Sequence, residues 1–381
     1  MIDRAFWLNR ITSAWHTRSI VWLSGVRRVG KTTLARMIPD TVFLNCELPS
    51  AARRLEDPEL FFGSLDPDST VILDEIHRLA DPSIVLKTAS DEFPGMRVLA
   101  TGSSTLSATK KFRDSLTGRK WSVYLAPVLW DECLGEFGIR DLDRRLLHGG
   151  LPEQLLSDDQ DPEFYGEWLD SYYARDVAEL FSVRNRGGFL ALLRLLFWQS
   201  GGLADISKLA SDCGVSRPTV NSYLDGMSIA HAVFRLSPFS GAGRREIIRR
   251  QKIYAFDTGF VVYARAWQTI RPEDRGLLWE HLVLDTLRAS GRERGLRYWR
   301  DKSGREVDFV VRSGEDSIDA FECKIDPDNF DPGHLRHFRS FYPEGINYLV
   351  CPHVAESYRR DFSGVGVRVV STKHLLDAMG G

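Results

Sequence analysis

A glycine-rich segment near the start of the chain ends in a lysine and a hydroxyl, residue types that bind phosphate and a metal ion. Residues 25–33 read Gly-Val-Arg-Arg-Val-Gly-Lys-Thr-Thr, which fits the pattern GxxxxGKT. An apolar run typical of a buried strand, residues 19–24, precedes this segment, and a helix-like stretch, residues 34–38, follows it. In that setting the backbone N–H groups of the loop surround phosphate oxygens. The segment therefore predicts a nucleoside triphosphate site, with ATP as the expected ligand.

Each position of this loop has an expected role. Gly25 and Gly30 let the backbone approach phosphate oxygens without the clash that a Cβ would cause. Lys31 is expected to reach the β- and γ-phosphates as a catalytic cation, and the Thr32 hydroxyl is expected to bind Mg2+. The other predicted nucleotide contacts are Val26, Arg27, Arg28, Val29 and Thr33.

Two adjacent acids end the next strand-like run. Residues 70–75 read Thr-Val-Ile-Leu-Asp-Glu, so strand-forming residues lead directly to Asp74 and Glu75. We expect Asp74 to contact the bound nucleotide through Mg2+, and Glu75 to polarise the attacking water as the catalytic base. A single acid in this place often marks only a turn, so the pairing of the two acids carries the prediction.

A third apolar run, residues 97–101, ends in a hydroxyl and continues into a Gly-Ser-Ser turn. A polar residue here would lie between the glycine-rich loop and the paired acids, so Thr101 and Ser103 are candidates for sensing the γ-phosphate. A plain turn is the alternative.

Two arginines farther along the chain are candidates for an arginine finger, which would neutralise charge on the transferred phosphoryl group. Arg119 is the first candidate and Arg113 the second. Either arginine could equally be a solvated surface charge.

A second set of charged residues lies in the last third of the chain. Glu280 falls in an amphipathic helical segment, Asp308 in an apolar strand, and Glu322 and Lys324 in a further strand, where alternation puts them on one face. Carboxylates are hard ligands that suit Mg2+ or Mn2+, and a metal ion held in this way activates water. We expect the three acids to bind the metal ion and Lys324 to act as the catalytic cation. Surface ion pairs at strand edges are the alternative.

The middle of the chain predicts a helix-turn-helix. Residues 189–198 and 205–210 read as helices, and Cys213 and Gly214 supply a turn. Residues 218–228 form the next helix, with Ser216 as its N-cap.

Two further runs, residues 234–237 and 252–256, could be the strands of a wing. DNA binding would use one group of side chains in a groove and another on phosphates. These side chains are Arg217, Thr219 and Asn221 for the groove, and Arg244, Arg245, Arg249 and Arg250 for the phosphates. A purely structural winged helix is the alternative, and Asp225 on the same helix does not favour strong affinity for DNA.

Composition describes a globular protein of more than one domain. The chain has 381 residues, of which 43% are hydrophobic and 27% charged, and its net charge is -2. This length exceeds what one core usually organises, and no apolar run approaches the roughly 20 residues of a membrane-spanning helix. The first residues also lack the apolar core of a signal peptide. We therefore expect a cytoplasmic protein with no membrane partner.

The order of these motifs resembles a bacterial and archaeal family of AAA-type P-loop ATP-binding proteins with a C-terminal domain of unknown function. The segments that carry this resemblance are GVRRVGKTT, VILDEIH, LATGSS, SLTGR, and residues 124–127, 148–152 and 172–177. The charged set of the last third resembles the PD-(D/E)xK nuclease fold, whose motif would correspond to Asp308, Glu322 and Lys324. Val307 stands where that motif usually has proline.

The sequence thus predicts an α/β protein in three parts. These are a P-loop ATPase domain with a parallel sheet over residues 1–140, a helical and winged-helix connector over residues 141–270, and a restriction-endonuclease-like α/β domain over residues 271–381. The leading hypothesis is an ATPase coupled to a metal-dependent nuclease-like domain that acts on nucleic acid. The alternatives are an ATP-driven signalling or scaffold switch with an inactive, partner-binding C-terminal domain, and a winged-helix DNA-binding regulator. A homo-oligomer and a monomer are equally compatible with the sequence.

Overall fold

A computed structural model describes residues 2–102, 112, 114, 116–177, 185–241 and 250–379, apart from the side chains of residues 175, 378 and 379. The chain separates into two compact units. Unit 1 consists of Met1–Ala126, Glu167–Arg184 and Ile229–Ala232, and unit 2 consists of Pro127–Gly166, Asn185–Ser228 and Val233–Gly381. The predicted division into three domains stays a prediction.

A five-stranded parallel sheet forms the centre of unit 1. Its strands are β1 Ile20–Ser24, β2 Thr41–Asn45, β3 Thr70–Asp74, β4 Arg97–Thr101 and β5 Lys120–Tyr124. They are hydrogen-bonded in the order β2-β3-β4-β1-β5, and every neighbouring pair is parallel. All residues of β1 and β3 are buried, as expected for continuous apolar runs in a parallel sheet that is covered on both faces. The predicted parallel sheet is therefore confirmed.

Helices lie between these strands, and the strand order sets the position of the chemistry. The helices are α1 Ala5–Trp15, α2 Lys31–Ala35, α3 Pro49–Arg54, α4 Pro58–Gly63 and α5 Pro82–Glu92. Because β4 pairs with both β1 and β3, its carboxyl end lies between the loop that leaves β1 and the acids that end β3. Polar residues at these three strand ends therefore meet at one edge of the sheet.

The first half of unit 2 is mostly helical. Its helices are α6 Trp130–Leu134, α7 Leu142–His148, α8 Pro152–Leu156, α9 Pro162–Tyr172, which continues into unit 1, α10 Arg186–Trp198, α11 Ile206–Asp212, α12 Arg217–Ile229 and α13 Thr258–Arg265. A small antiparallel sheet accompanies them, formed by β6 Gly202–Leu203, β7 Val233–Leu236 and β8 Lys252–Ala255 in the order β6-β8-β7. The three helices that were predicted before and after the turn at Gly214 are present.

A six-stranded mixed sheet forms the second half of unit 2. Its strands are β9 Arg297–Arg300, β10 Glu306–Arg312, β11 Ile318–Cys323, β12 Asn347–Val350, β13 Tyr358–Phe362 and β14 Val365–Val370, in the order β13-β14-β12-β11-β10-β9. The β9, β10 and β11 strands are antiparallel, whereas β12 runs parallel to β11 and to β14. Trp299 and Phe338 pack in the core on one face of this sheet.

Three helices accompany this sheet. They are α14 Pro272–Ala289, α15 Gly333–Arg339 and α16 Thr372–Met379. The 18-residue α14 buries most of its residues, including Trp279 and Leu287, and carries Glu280 in its middle. Within the described ranges, no helix is both long and apolar enough to cross a membrane.

Candidate functional site

The glycine-rich loop of unit 1 turns tightly between β1 and α2. A Cβ on Gly25 would lie 2.7 Å from the carbonyl oxygen of Leu125, closer than side-chain carbons come to such an oxygen. Gly30, at the N-cap of α2, has a φ of 100°, which a side chain would strain. Arg28 also has a positive φ, of 60°. The two glycines therefore occupy positions where their lack of a Cβ is needed, as the sequence predicted for a loop of this type.

Lys31 folds back over this loop. Its Nζ donates to the carbonyl oxygens of Gly25, at 2.9 Å, and of Val26, at 3.0 Å. Burial lowers the pKa of the Lys31 ammonium, and the nearby carboxylates of Glu75 and Asp176 act in the opposite direction. The ammonium is thus held at the mouth of the loop, where a phosphate would replace the two carbonyl oxygens as its partner.

The other residues of the loop differ in their exposure to solvent. Val26 is 3% exposed and Val29 is fully buried. Thr33 is exposed. The nucleotide contacts predicted for these three positions stay predictions.

Three predicted residues form one hydrogen-bond network at the edge of the sheet. The hydroxyl of Thr32 donates to Oδ2 of Asp74 at 2.9 Å, and the hydroxyl of Thr101 donates to Oδ1 at 2.6 Å. Thr101 is fully buried and Asp74 is 3% exposed. Burial raises the pKa of the Asp74 carboxyl, and the two hydroxyl donors offset part of that rise. A hydroxyl beside a carboxylate is the donor set that holds Mg2+ in P-loop proteins, so Thr32 and Asp74 fit such an ion.

Glu75 follows in a strained backbone conformation. Its φ is 54°, in the left-handed region, which costs a residue with a side chain about 1–2 kcal/mol. Its N–H donates to Oγ1 of Thr101 at 3.0 Å, and its Oε2 lies 3.1 Å from Nδ1 of His77. Burial raises the pKa of the Glu75 carboxyl, but the hydrogen bond from His77 and the charge of Lys31 outweigh burial and leave it lowered. The carboxyl is therefore charged at neutral pH.

A segment beyond the predicted ATPase domain packs against the same loop within unit 1. The indole N–H of Trp168 donates to the carbonyl oxygen of Arg27 at 3.1 Å. The Arg27 guanidinium lies 3.6 Å from Oδ2 of Asp176, and Arg28 lies 3.6 Å from Oε2 of Glu167. The sequence does not predict these contacts, although residues 172–177 carry part of the family resemblance. The two arginines predicted to contact nucleotide thus have acidic partners in this structure.

The remaining predicted residues of this site are Arg119, Ser103 and Arg113. Nε and Nη2 of Arg119 lie 2.6 and 3.0 Å from the two carboxylate oxygens of Asp91 on α5. This two-pronged surface pair is the arrangement expected for the solvated-charge alternative. Ser103 and Arg113 lie outside the described residues, so their predicted roles stay predictions.

Unit 2 brings the second predicted set together from three separate elements. Glu280 lies on α14, Asp308 on β10, and Glu322 and Lys324 at the end of β11. Nζ of Lys324 is 3.6 Å from Oε2 of Glu322, and Oδ2 of Asp308 accepts a hydrogen bond from the N–H of Cys323 at 2.8 Å. The shared face predicted for Glu322 and Lys324 is therefore present.

Both strand acids of this set have raised pKa values. Burial, followed by the charge of Glu280, raises the pKa of Asp308 to about 6. Burial, followed by the charge of Asp308, raises the pKa of Glu322 well above its ordinary value. Glu322 is 5% exposed, and its Oε1 has no hydrogen-bond partner in the described part of the chain. An orphaned buried carboxylate oxygen is costly unless a cation or a donor reaches it.

A lysine that the sequence did not indicate also belongs to this cluster. Lys252 on β8 is 4% exposed, and its Nζ lies 3.0 Å from Oε1 of Glu280 and 2.5 Å from Oε1 of Glu306. The hydroxyl of Tyr254 donates to the same oxygen of Glu280. A lysine in the apolar run of residues 252–256 needs a carboxylate partner when it is buried. That was the only signal in the sequence, and it does not say where the partner lies.

The fit of this cluster to a metal ion is partial. Among the described residues, no three His, Cys, Asp or Glu side chains are grouped so that they could hold a metal ion. Asp308 and Glu322 supply hard carboxylate oxygens, one of them unpartnered, which suits a divalent ion. Glu280, the third predicted ligand, is instead engaged by Lys252 and Tyr254.

The predicted DNA-binding face is only partly within the described residues. Arg217 and Asn221 are exposed on α12. Arg250 pairs with Asp205 at 2.9 Å. Thr219 is half-buried, and its hydroxyl lies 2.7 Å from that of Ser216. The other wing arginines, Arg244, Arg245 and Arg249, lie outside the described residues.

Known domain families match three successive parts of the chain. The AAA domain matches residues 17–134. Two domains of unknown function, DUF8612 and DUF4143, match residues 139–271 and 275–374. Together with the parallel sheet and the glycine-rich loop, the first match defines an AAA-type P-loop ATPase domain. The match at the C-terminal end lends no support to a nuclease fold.

Two curated relatives extend over most of the chain. Uncharacterized protein Rv2008c of Mycobacterium tuberculosis is 30% identical over 331 residues, which are 82% of this chain and 71% of the relative. Uncharacterized protein MJ1544 of Methanocaldococcus jannaschii is 26% identical over 321 residues, which are 75% and 70% of the two chains. This chain belongs to the same protein family as Rv2008c.

Solved structures include a distant likeness. The Walker-type ATPase PABY2304 of Pyrococcus abyssi is similar over 70% of this chain and 96% of its own, with a TM-score of 0.44 and 16% sequence identity. A similarity this low says nothing about what the chain does.

Proposed function

We propose that this chain binds ATP with Mg2+ and hydrolyses it at the glycine-rich loop of unit 1. The observation that carries the proposal is the network in which Thr32 and Thr101 both donate to Asp74, while Glu75 is held by Thr101. Buried polar groups connected in this way hold one geometry, and this geometry lies beside a loop whose lysine donates to two carbonyl oxygens of the loop itself.

Each residue of the network would then have a defined task. Lys31 would exchange its two carbonyl partners for phosphate oxygens, and Thr32 and Asp74 would hold the Mg2+ ion, which neutralises phosphate charge. Glu75, whose lowered pKa keeps it charged, would accept the proton of the attacking water. Thr101 would act as a positioning residue, since it holds both Asp74 and the backbone of Glu75.

The test is ATP binding and turnover by the purified chain. We expect Lys31→Ala to lower both, with turnover reduced by about 100-fold or more, in the range seen when a catalytic group is removed. Lys87→Ala is the matched control, because Lys87 is an exposed lysine of unit 1. If Lys31→Ala hydrolyses ATP as fast as the wild type, the loop is not the catalytic site.

A second candidate function concerns unit 2, and a specific observation favours it. Asp308, Glu322 and Lys324 converge, and a buried oxygen of Glu322 lacks a partner. We propose that this cluster holds Mg2+ or Mn2+ at Asp308 and Glu322 and cleaves phosphodiester bonds of nucleic acid, with Lys324 offsetting charge in the transition state. The order of α14, three antiparallel strands, α15 and the parallel β12 supports a restriction-endonuclease-like arrangement.

Cleavage assays test this second function. Single-stranded, duplex and supercoiled DNA, and RNA, are incubated with the chain and Mg2+ or Mn2+, with and without ATP. We expect cleavage that Lys324→Ala abolishes and that the exposed-lysine control Lys302→Ala retains. Loss of ATP dependence in Lys31→Ala would support control of cleavage by the nucleotide. If the wild type and Lys324→Ala are equally inert while ATP is bound, the signalling or scaffold switch becomes the better proposal.

The helical part of unit 2 supports a weaker proposal. The order α10, β6, α11, α12, β7 and β8, with β8 between the other two strands, is that of a winged helix. Arg217 and Asn221 are exposed on α12, where a DNA-binding helix would present them. We propose DNA binding as a third function, ranked below the two functions above. Assembly with further copies or with a protein partner has the same rank.

A further inference from the structure

Lys252 is buried at the centre of the charged cluster in unit 2. Its side chain is 5% exposed, whereas those of its partners Glu280 and Glu306 are 13% and 18% exposed. The two distances, 3.0 and 2.5 Å, are those of charge-assisted hydrogen bonds. Lys252 therefore joins the helix acid on α14 to the first acid of β10.

The charges around this ammonium do not all cancel. Four carboxylates meet here, from Glu280, Glu306, Asp308 and Glu322. Lys252 and Lys324 face them, and Arg300 lies 2.8 Å from Oε2 of Glu306. A charge taken out of water destabilises the fold unless it is paired and hydrogen-bonded.

One buried carboxylate oxygen of the cluster is not reached by Lys252. Oε1 of Glu322 has no hydrogen-bond partner among the described residues, although Glu322 is 5% exposed. The ion pairs of Lys252 are with Glu280 and Glu306, and that of Lys324 is with Oε2 of Glu322. Within the described residues, Oε1 of Glu322 thus still lacks a cation or donor, while Oε1 of Glu280 is engaged by the Lys252 ammonium.

We propose that Lys252 is the resident cation of this site and competes with a divalent ion for Glu280. In this structure Asp308 and Glu322 offer carboxylate oxygens to such an ion, whereas Oε1 of Glu280 is shared by the ammonium and the Tyr254 hydroxyl. Removal of the ammonium frees Glu280 as a third carboxylate ligand and increases the affinity for the ion. This inference rests on the metal site proposed for unit 2 and adds a regulator of that site from β8, a strand outside the matched DUF4143 segment.

The experiment measures Mn2+ binding to the full chain without nucleotide, by titration calorimetry. Lys252→Met removes the ammonium, and Lys252→Met combined with Glu306→Gln removes it while keeping the local charge unchanged. We expect both variants to bind Mn2+ at least about tenfold more tightly than the wild type, the scale by which partners of metal ligands alter affinity. Adding Glu322→Gln should abolish this gain, which assigns the binding to unit 2 and not to the nucleotide site. Lys302→Met, at an exposed lysine of unit 2, should leave the affinity unchanged.

The outcomes that overturn the inference are equally definite. Unchanged or weaker Mn2+ binding in both Lys252 variants overturns it. Thermal unfolding with and without Mn2+ covers a variant that is too unstable to titrate. Recovery of stability in Mn2+ supports the inference, and a variant that stays unfolded overturns it, because the ion then fails to replace the ammonium.

The same titration separates this inference from the proposed nuclease function. A Lys252 variant that gains Mn2+ but cleaves no nucleic acid keeps the inference and rejects the nuclease. A wild-type chain that cleaves nucleic acid, with Lys252 variants that bind Mn2+ no better, keeps the nuclease and rejects the inference.

Discussion

The two charged sites of this protein are built in different ways. In unit 1, Asp74 and Thr101 end neighbouring parallel strands, Thr32 lies in the first turn of α2, and neutral hydroxyls donate to the buried carboxylate. In unit 2, buried carboxylates are satisfied mainly by lysines, and Lys252 reaches the cluster from a different sheet. The first site needs only adjacent strand ends, whereas the second needs the packing of several elements to bring opposite charges together.

This difference has an energetic consequence. A hydroxyl that donates to a carboxylate contributes a modest amount to stability, whereas a buried charge that loses its counter-charge destabilises the fold strongly. Substitutions in the nucleotide site should therefore cost activity more than stability, and substitutions in the C-terminal cluster should cost stability first. The following predictions are arranged from the largest expected effect to the smallest.

Glu75→Gln tests the expectation that the site in unit 1 loses activity rather than stability. The amide cannot accept the proton of the attacking water, so we expect ATP turnover to fall by about 100-fold or more while ATP binding persists. Steady-state hydrolysis and nucleotide binding by fluorescence measure the two effects. Glu56→Gln, at an exposed acid of unit 1, is the control. Equal turnover in Glu75→Gln and wild type would remove Glu75 from the mechanism.

Lys252→Met tests the expectation that the cluster in unit 2 loses stability first. Without metal ions, the variant leaves Glu280 and Glu306 without their shared ammonium, and we expect the free energy of unfolding to fall by about 3–5 kcal/mol. Denaturant titration measures this loss. Arg250→Met should change stability by less than about 0.5 kcal/mol, because the Arg250 side chain is largely exposed. Similar losses in the two variants would mean that Lys252 is not a buried counter-charge.

Asp131→Asn tests whether a buried carboxyl of unit 2 makes the stability of the fold depend on pH. Burial raises the pKa of Asp131 to about 6, and a hydrogen bond from Thr372 offsets part of that rise. The folded state therefore holds this proton more tightly than the unfolded state. The resulting stability is fully present below the unfolded pKa of 3.8 and is lost as pH rises to about 6.

The amide of Asp131→Asn has no such proton, so the variant should gain in melting temperature relative to the wild type between those pH values, by about 2–8 °C. Melting curves at several pH values measure this relative gain. The exposed control Asp316→Asn should show none. A constant difference between Asp131→Asn and wild type across the range would contradict the assignment.

Arg119→Ala should have the smallest effect. Its guanidinium is paired with Asp91 at the surface, so we expect ATP turnover to stay within about threefold of the wild type. An arginine finger in trans or in cis would instead lower turnover by about 1,000-fold or more. Turnover is measured over a range of protein concentrations, so that a finger supplied by a second copy is also detected. A loss of that size would restore the finger interpretation.

The meeting of Thr32, Asp74 and Thr101 at one edge of the sheet could be predicted because its determinants are local in sequence. The glycine-rich loop, the paired acids after β3 and the hydroxyl of Thr101 each follow an apolar run, and parallel strands bring their carboxyl ends to one edge. The position of Thr101 between the two motifs required only that β4 lie between β1 and β3, as it does. The roles of these residues stay predictions that the variants above test.

The contacts that sequence reasoning missed depend on tertiary packing. Trp168 and Asp176 reach the glycine-rich loop from a segment far along the chain, and no periodicity or spacing relates them to Arg27. Lys252 was interpreted only as part of a wing strand. The alternation rule related Glu322 to Lys324, which directly follows β11, but it cannot pair a lysine on β8 with an acid on α14.

The position of Lys31 has a kinetic consequence for nucleotide entry. Since its ammonium is already bonded to the carbonyl oxygens of Gly25 and Val26, a phosphate does not meet a free cation. In the role proposed for Lys31, the ammonium would have to give up these two oxygens before it held a nucleotide, so association would become a two-step process. Its observed rate would then level off at high ATP concentration, at the rate with which the loop releases its own lysine.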